Sequence, residues 1–181
     1  MHPLFQGHNT DKGFHHTYEH RYQLEFEHVR TQVTAVLELG ILHGGSLRAW
    51  RDYFPDATIV GMDIDPAAVA SVNGERRITA LLGDAKEPQD LYRAGKEGQP
   101  YDLIVDDASH RPIDQFQALK YLWQYLKPGG LYVVEDLDLN RDPGVLTTMG
   151  LIVRGETEDI RIHLGDSEGV RNDDLLILEK R

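Results

Sequence analysis

Two short acidic stretches carry the chemistry most visible in this chain. Asp106-Asp107-Ala108-Ser109-His110 follows the apolar run Leu103-Ile104-Val105, and Glu135-Asp136 follows Tyr132-Val133-Val134. Carboxylates in such places can cap helices, accept hydroxyl protons in hydrogen bonds, or hold a hard cation. His110 brings an imidazole, whose ordinary pKa of about 6.5 suits proton transfer near neutrality. A third acid, Glu38, lies in the apolar run Val36-Leu37-Glu38-Leu39 and leads into Gly40-Ile41-Leu42-His43-Gly44-Gly45-Ser46. A glycine-rich turn opening a helix presents unpaired N–H groups and positive partial charge, so it suits an anionic group. Asp63 stands at the end of Ile59-Val60-Gly61-Met62. An acid roughly 20 residues after such a turn can accept both hydrogen bonds of a ribose diol. Asp65, just before Pro66, reads as a helix cap.

The turn separates ligand classes. A dinucleotide loop wants G-x-G-x-x-G, but the middle position here is Leu42, where backbone must approach a pyrophosphate. A phosphate loop needs Gly-Lys-Ser/Thr, which is absent. A hydrolase elbow needs G-x-S-x-G, and Gly44-Gly45-Ser46-Leu47-Arg48 ends in Arg. What remains is E-x-G-x-x-x-G-x-S.

The elements that position these residues alternate. Apolar patterning predicts strands over 34–39, 57–62, 77–82, 101–106 and 131–136, and helices over 45–54, 66–73, 87–94 and 112–126. Apolar strands alternating with helices imply a parallel sheet covered on both faces. The helix at 112 is expected to bury Ile113, Phe116, Leu119, Leu122 or Trp123, and Leu126, and Lys127-Pro128-Gly129-Gly130 to stop it. After a short helix around 143–153, the runs 160–164 and 175–178 read as an antiparallel hairpin. Upstream, Tyr18, Tyr22 and Phe26 form one stripe of a helix over about 16–29. His16 and His20 could share a face of it, without a carboxylate or cysteine pattern to complete a metal site. We read residues 1–30 as an N-terminal helix and lid, its tip at Asn9–Lys12, on a single domain over 1–181.

The E-x-G-x-x-x-G-x-S motif resembles the first motif of class I S-adenosylmethionine (SAM) methyltransferases, and the element pattern resembles their Rossmann-like seven-stranded sheet, mostly parallel with a C-terminal antiparallel hairpin. The resemblance implies a cofactor site built from Glu38, Gly40, Gly44, Ser46 and Asp63, with Glu38 for the ammonium of SAM. Leu82-Gly83-Asp84-Ala85 resembles the adenine-recognising Gly-Asp-Ala of that family, which places Asp84 near the exocyclic amine. In the family's strand order the two acid-ended strands are neighbours, about 5 Å apart. Crowded carboxylates repel unless protons or a cation neutralise them, and an oxygen-only set suits Mg2+.

D-D-x-S-H followed by V-E-D resembles the metal-dependent sugar O-methyltransferases of mycinamicin-type macrolide pathways. Asn9-Thr10-Asp11-Lys12 resembles their T-D-K segment, and the similarity runs from about Thr10 to Asp138. That pattern implies Asp107, Glu135 and Asp136 as metal ligands, His110 as general base and Asp106 beside the cofactor. A catechol-type alignment would place the metal on Asp106 instead. The implied function is Mg2+-dependent methyl transfer from SAM to a sugar hydroxyl of a small-molecule glycoside. A catechol-like phenol methyltransferase and a non-catalytic SAM- or nucleoside-binding module are the alternatives.

Composition narrows partners and compartment. The chain has 181 residues, 40% hydrophobic, enough for one domain with a full core. Its 30 acids against 19 bases give a net charge of −11, which disfavours nucleic acid and anionic membrane. No cysteine is present, excluding disulfides and thiolate chemistry. No apolar run is long enough to span a bilayer, so a cytoplasmic location is expected, with self-association left open.

Overall fold

The computed structural model describes residues 5, 7–10, 12, 18–137, 139, 144–164 and 174–181. The chain order is α1 (Tyr18–Phe26), β1 (Ala35–Leu39), α2 (Gly45–Tyr53), β2 (Thr58–Asp63), α3 (Pro66–Ser71), β3 (Ile78–Leu82), α4 (Pro88–Glu97), β4 (Tyr101–Asp106), α5 (Pro112–Leu122), β5 (Leu126–Leu137), α6 (Gly144–Ile152), β6 (Thr157–His163) and β7 (Asp174–Lys180). They build one seven-stranded sheet in the order β3-β2-β1-β4-β5-β7-β6. β1 to β5 pair with one another in parallel, and β7 runs antiparallel to β5 and β6. The chain moves outward from β1 to β3 and then crosses back to β4. That reversal opens a crevice at the carboxyl ends of β1 and β4, where open α/β sheets bind ligands.

β1 is buried at all five positions, as expected of a strand covered on both faces. Its residues divide by alternation. Val36 packs with Tyr22, Phe26, Trp50 and Ala68 of the α1–α3 layer, whereas Leu37 and Leu39 pack with Leu91, Ala118 and Leu119 of the α4–α6 layer. The first layer is unusually aromatic. Trp50 meets Phe5 and Tyr22 edge-on, at 5.2 and 5.0 Å between ring centres, and stacks on Phe54. Such pairs contribute about 0.5–1.5 kcal/mol each beyond their buried area. Phe5 is fully buried, although the segment around it is polar. Phe5 therefore packs as part of the core.

Asp65 caps α3 as expected, accepting the Ala67 N–H at 2.8 Å. Two details of α5 and β5 differ from the sequence reading. Ile113, in the first turn of α5, is 63% exposed, and Gln115 is buried instead. Helix α5 ends at Leu122 in a 3₁₀ turn over Trp123–Tyr125, and β5 already begins at Leu126. Lys127-Pro128-Gly129-Gly130 lies inside β5, where the pairing jumps from Tyr101↔Leu126 to Leu103↔Leu131. It is a bulge in the strand, the setting in which a strand tolerates Pro and Gly. Among the described residues, no helix is long and apolar enough to cross a membrane. Of the two histidines on the proposed N-terminal face, His16 lies outside the described residues.

Candidate active site

The glycine turn sits where β1 and β4 part. Gly40 has φ +96°, and a Cβ there would lie 2.2 Å from the Asp107 carbonyl oxygen. Only glycine lets the loop after β4 approach β1 this closely. Gly45 fixes a second approach, because its Cβ would lie 2.3 Å from the Asn9 carbonyl oxygen. Gly44 takes the N-cap position of α2 in a left-handed conformation and offers no side-chain cap. The first-turn N–H groups of α2 thus lack a side-chain acceptor from the cap. Gly40, Ser46, Asp63, Asp107, His110 and Lys12 help line a cleft of about 200 Å³ in front of the turn.

Asp63 reaches this turn from β2. Its Oδ2 accepts the N–H groups of Ile41 (2.7 Å) and Leu42 (3.2 Å), and its Oδ1 accepts that of Asp65 at 2.8 Å. The carboxylate thereby holds Leu42 at φ 51°, a conformation uncommon for a branched side chain. Asp84 has a different setting. Its Oδ1 accepts the Lys86 N–H at 2.9 Å, its own N–H donates to Asp90 at 2.9 Å, and it does not line the cleft.

Behind the cleft three strands deliver acids to one cation. Lys12 is only 2% exposed. Its Nζ lies 2.5 Å from Asp107 Oδ2 after β4 and 3.3 Å from Glu38 Oε1 on β1, and it also donates to Glu135 Oε2 on β5. The other Glu135 oxygen accepts the Tyr22 hydroxyl, and the other Glu38 oxygen accepts Trp50 Nε1–H at 2.9 Å. Burial disfavours the Lys12 charge, but the carboxylates of Asp107, Glu135 and Glu38 outweigh it and hold the ammonium pKa well above its ordinary value. One ammonium cannot neutralise three carboxylates. Burial accordingly pushes Glu38 up to about 7, against the pull of Lys12.

Asp107 joins this cluster to a second one. Its Oδ1 lies 3.1 Å from His110 Nε2, and His110 Nδ1 lies 3.3 Å from Asp136 Oδ2. The Tyr18 hydroxyl donates to Asp136 Oδ1 at 2.9 Å. Burial alone would raise the Asp107 pKa, but Lys12 and His110 bring it down to about 2. The hydrogen bond to Asp107, aided by the charges of Asp107 and Asp136, lifts His110 to about 9 in spite of its partial burial. One ligand atom each from Asp107, His110 and Asp136 lies within 4.8 Å of the others, which fits a divalent cation among the described residues. Two hard carboxylates suit Mg2+ in that position.

The sequence-predicted acids thus separate. Asp107 and Asp136 meet at His110. Glu135 goes to Lys12 and Tyr22, while Asp136 goes to His110 and Tyr18, both tyrosines coming from α1. Asp106 is 2% exposed and shares the α4–α6 layer with Tyr132. Its Oδ2 has no hydrogen-bond partner among the described residues, and burial pushes its pKa up to about 7. Lys12 is the residue whose position sequence reasoning did not anticipate. Its signal was a lone lysine in the T-D-K segment of a chain whose strands end in acids.

The strand order and the glycine turn define a Rossmann-like class I methyltransferase. The model of the methyltransferase domain family matches residues 37–137, and the chain belongs to that family. It is 34% identical over 154 residues to demethylmacrocin O-methyltransferase of Streptomyces fradiae, an alignment covering 76% of this chain and 38% of that protein. It is 35% identical over 133 residues to mycinamicin VI 2''-O-methyltransferase of Micromonospora griseorubida, covering 69% of this chain and 32% of that protein. Among solved structures it is similar to the MycE methyltransferase of the mycinamycin biosynthetic pathway in complex with Mg, SAH and mycinamycin VI. That match has a TM-score of 0.75 and 29% identity, over 94% of this chain and 51% of the other. The chain therefore spans well under half the length of these curated relatives and about half of that solved chain.

Proposed function

We propose that this protein transfers the methyl group of SAM to a sugar hydroxyl of a small-molecule glycoside, with Mg2+ at the acidic cluster. The observation that carries the reading is the Asp107–His110–Asp136 group, of which Asp107 and His110 line the cleft that begins at the glycine turn. Relatives named for 2'- and 3'-O-methylation of rhamnosyl tetracenomycins, and a MycE structure holding Mg, SAH and a macrolide glycoside, support the choice of acceptor class.

Each residue has a part in this reading. The open N–H groups at Ser46 and its neighbours receive the carboxylate end of SAM, and Glu38, oriented by Trp50, faces its ammonium. Gly40 and Gly44 let backbone stand close to the cofactor. Asp63 holds the turn in shape and keeps lone pairs for the ribose hydroxyls. Asp84 and Asp106 stand outside this set in the observed geometry. Asp107 and Asp136 hold the cation, and Glu135 is the third carboxylate within a short movement of it. Mg2+ held by Asp107 and Asp136 would supply Lewis acidity to an acceptor hydroxyl and would offset the carboxylate charge that the imidazolium otherwise balances. His110 then accepts the hydroxyl proton at Nε2 or Nδ1 as the oxygen attacks the sulfonium methyl in line and S-adenosylhomocysteine leaves.

The test is a turnover assay with SAM and Mg2+ over a panel of rhamnosyl and deoxysugar glycosides, with catechol as control. Formation of S-adenosylhomocysteine together with a methylated glycoside is the expected result. Methylation of catechol alone, or SAM binding without turnover on any acceptor, would overturn it.

A further inference from the structure

Lys12 stands where a metal's charge would be expected. It is buried and faces carboxylates from three adjacent strands, and two of these, Asp107 and Glu135, belong to the acid set expected to hold Mg2+. Both Glu135 oxygens are already committed, one to Lys12 and one to Tyr22. Asp107 spends Oδ2 on Lys12 and Oδ1 on His110. An incoming cation therefore meets carboxylates that are all engaged, and it gains Glu135 and the second oxygen of Asp107 only after the ammonium leaves. Like charges also cannot share so small and dry a space cheaply.

We infer that Lys12 is a tethered stand-in for the divalent cation and sets its affinity: the ammonium and the ion compete for Asp107 and Glu135, and ion binding expels Lys12 from the cluster. This rests on the reading that Asp107 and Asp136 hold the ion. The consequence is physical linkage. Lys12 follows Asn9 and Thr10 closely in sequence, and their backbone lies against Gly45, so expelling Lys12 should loosen that contact at the start of α2. A metal-free site is also kept from collapsing by carboxylate repulsion, because the tether supplies a cation in its place.

The experiment is an electron paramagnetic resonance titration of the full chain with Mn2+, for the native protein, Lys12→Met and Lys12→Arg. Lys12→Met, which keeps the length of the side chain without its charge, should bind Mn2+ at least tenfold more tightly. Lys12→Arg, which keeps the charge, should stay within about threefold of the native protein. Native and Met proteins with equal affinity, or a weaker Met protein, overturn the inference while leaving the metal reading intact. Absence of Mn2+ binding in both overturns the metal reading as well. Should Lys12→Met not fold, hydrogen exchange of the native protein decides. Amides of residues 9–12 should exchange faster with saturating Mg2+ than without it, and unchanged or slower exchange overturns the competition.

Discussion

His110 Nδ1 and Asp136 Oδ2 stand 3.3 Å apart, and both residues hold a left-handed backbone, with φ 52° and 56°. Positive φ in a residue with a Cβ costs about 1–3 kcal/mol and persists where surrounding structure enforces it. Here two such residues, one from the loop after β4 and one from β5, face each other across the site. The imidazole is pinned between Asp107 and Asp136 and reports on both. In the metal-free protein its ring protons should titrate near pH 9 by NMR. The folded value lies above the ordinary 6.5, so the imidazolium stabilises the fold fully below pH 6.5, and that contribution fades as pH rises through about 9. Asp107→Asn should bring the midpoint down by removing the leading cause. A native midpoint at or below 6.5 would show the imidazole free of both carboxylates.

His110→Ala should retain SAM affinity and lose about 10²–10⁴ in turnover, the usual range for a general base. Calorimetry measures the first quantity and methyl transfer the second. Near-normal turnover in the folded variant removes His110 from proton transfer.

Chelation should abolish methyl transfer and leave SAM affinity nearly unchanged, with Mg2+ restoring activity. The residues proposed for the cofactor are Glu38, Ser46, Asp63 and the turn glycines, none of which needs an ion to take its observed position. Full activity with the true acceptor in excess chelator would exclude a role for the metal.

Asp63→Ala should cost stability as well as cofactor affinity, because three backbone N–H groups lose their acceptor at once. Hydrogen bonds to a charged acceptor contribute about 1.5–3 kcal/mol each at most, and water will satisfy part of the loss at this half-buried site. Denaturant midpoints compare the variant with the native chain, and calorimetry gives the SAM affinity. A variant with native stability and weaker SAM binding would assign the carboxylate to the ribose alone.

Gly45→Ala should push the Asn9 backbone off the start of α2, since the new methyl would overlap it at 2.3 Å. Overpacking of this kind costs about 1–3 kcal/mol. Limited proteolysis should then cut sooner in the N-terminal segment, and thermal unfolding should come at lower temperature. Native behaviour in both would mean the two segments part at little cost.

Much of this arrangement was legible in local pattern. The run Val36–Ser46, the Asp63 and Asp65 pair and the alternation of apolar strands with helices each rest on spacing, and the strand order follows from them through the family resemblance. The different partners of Glu135 and Asp136 were not legible in that way. Adjacent residues of a regular strand point to opposite faces, but the left-handed backbone of Asp136 breaks the pleat of β5, and α1 reaches both acids through Tyr22 and Tyr18. What local pattern does not carry is the docking of the N-terminal residues. Phe5 and Lys12 are buried by partners 17 to 123 residues away in sequence, including Tyr22 and Glu135, and a polar neighbourhood hides both. The inward turn of Gln115, whose Nε2 donates to the Glu135 carbonyl at 3.1 Å, is missed for the same reason.

The bond from Trp50 Nε1 to Glu38 Oε2 gives the protein an optical reporter. The chain has two tryptophans, and the other, Trp123, bonds Glu156 on the far layer of the sheet. With Trp123 replaced by Phe, all indole emission would come from a fully buried ring whose N–H touches the carboxylate proposed to meet the cofactor's ammonium. Arrival of that charge at Glu38 would change the field along the indole and shift its emission, so occupancy of the methyl-donor pocket could be followed in real time without a label.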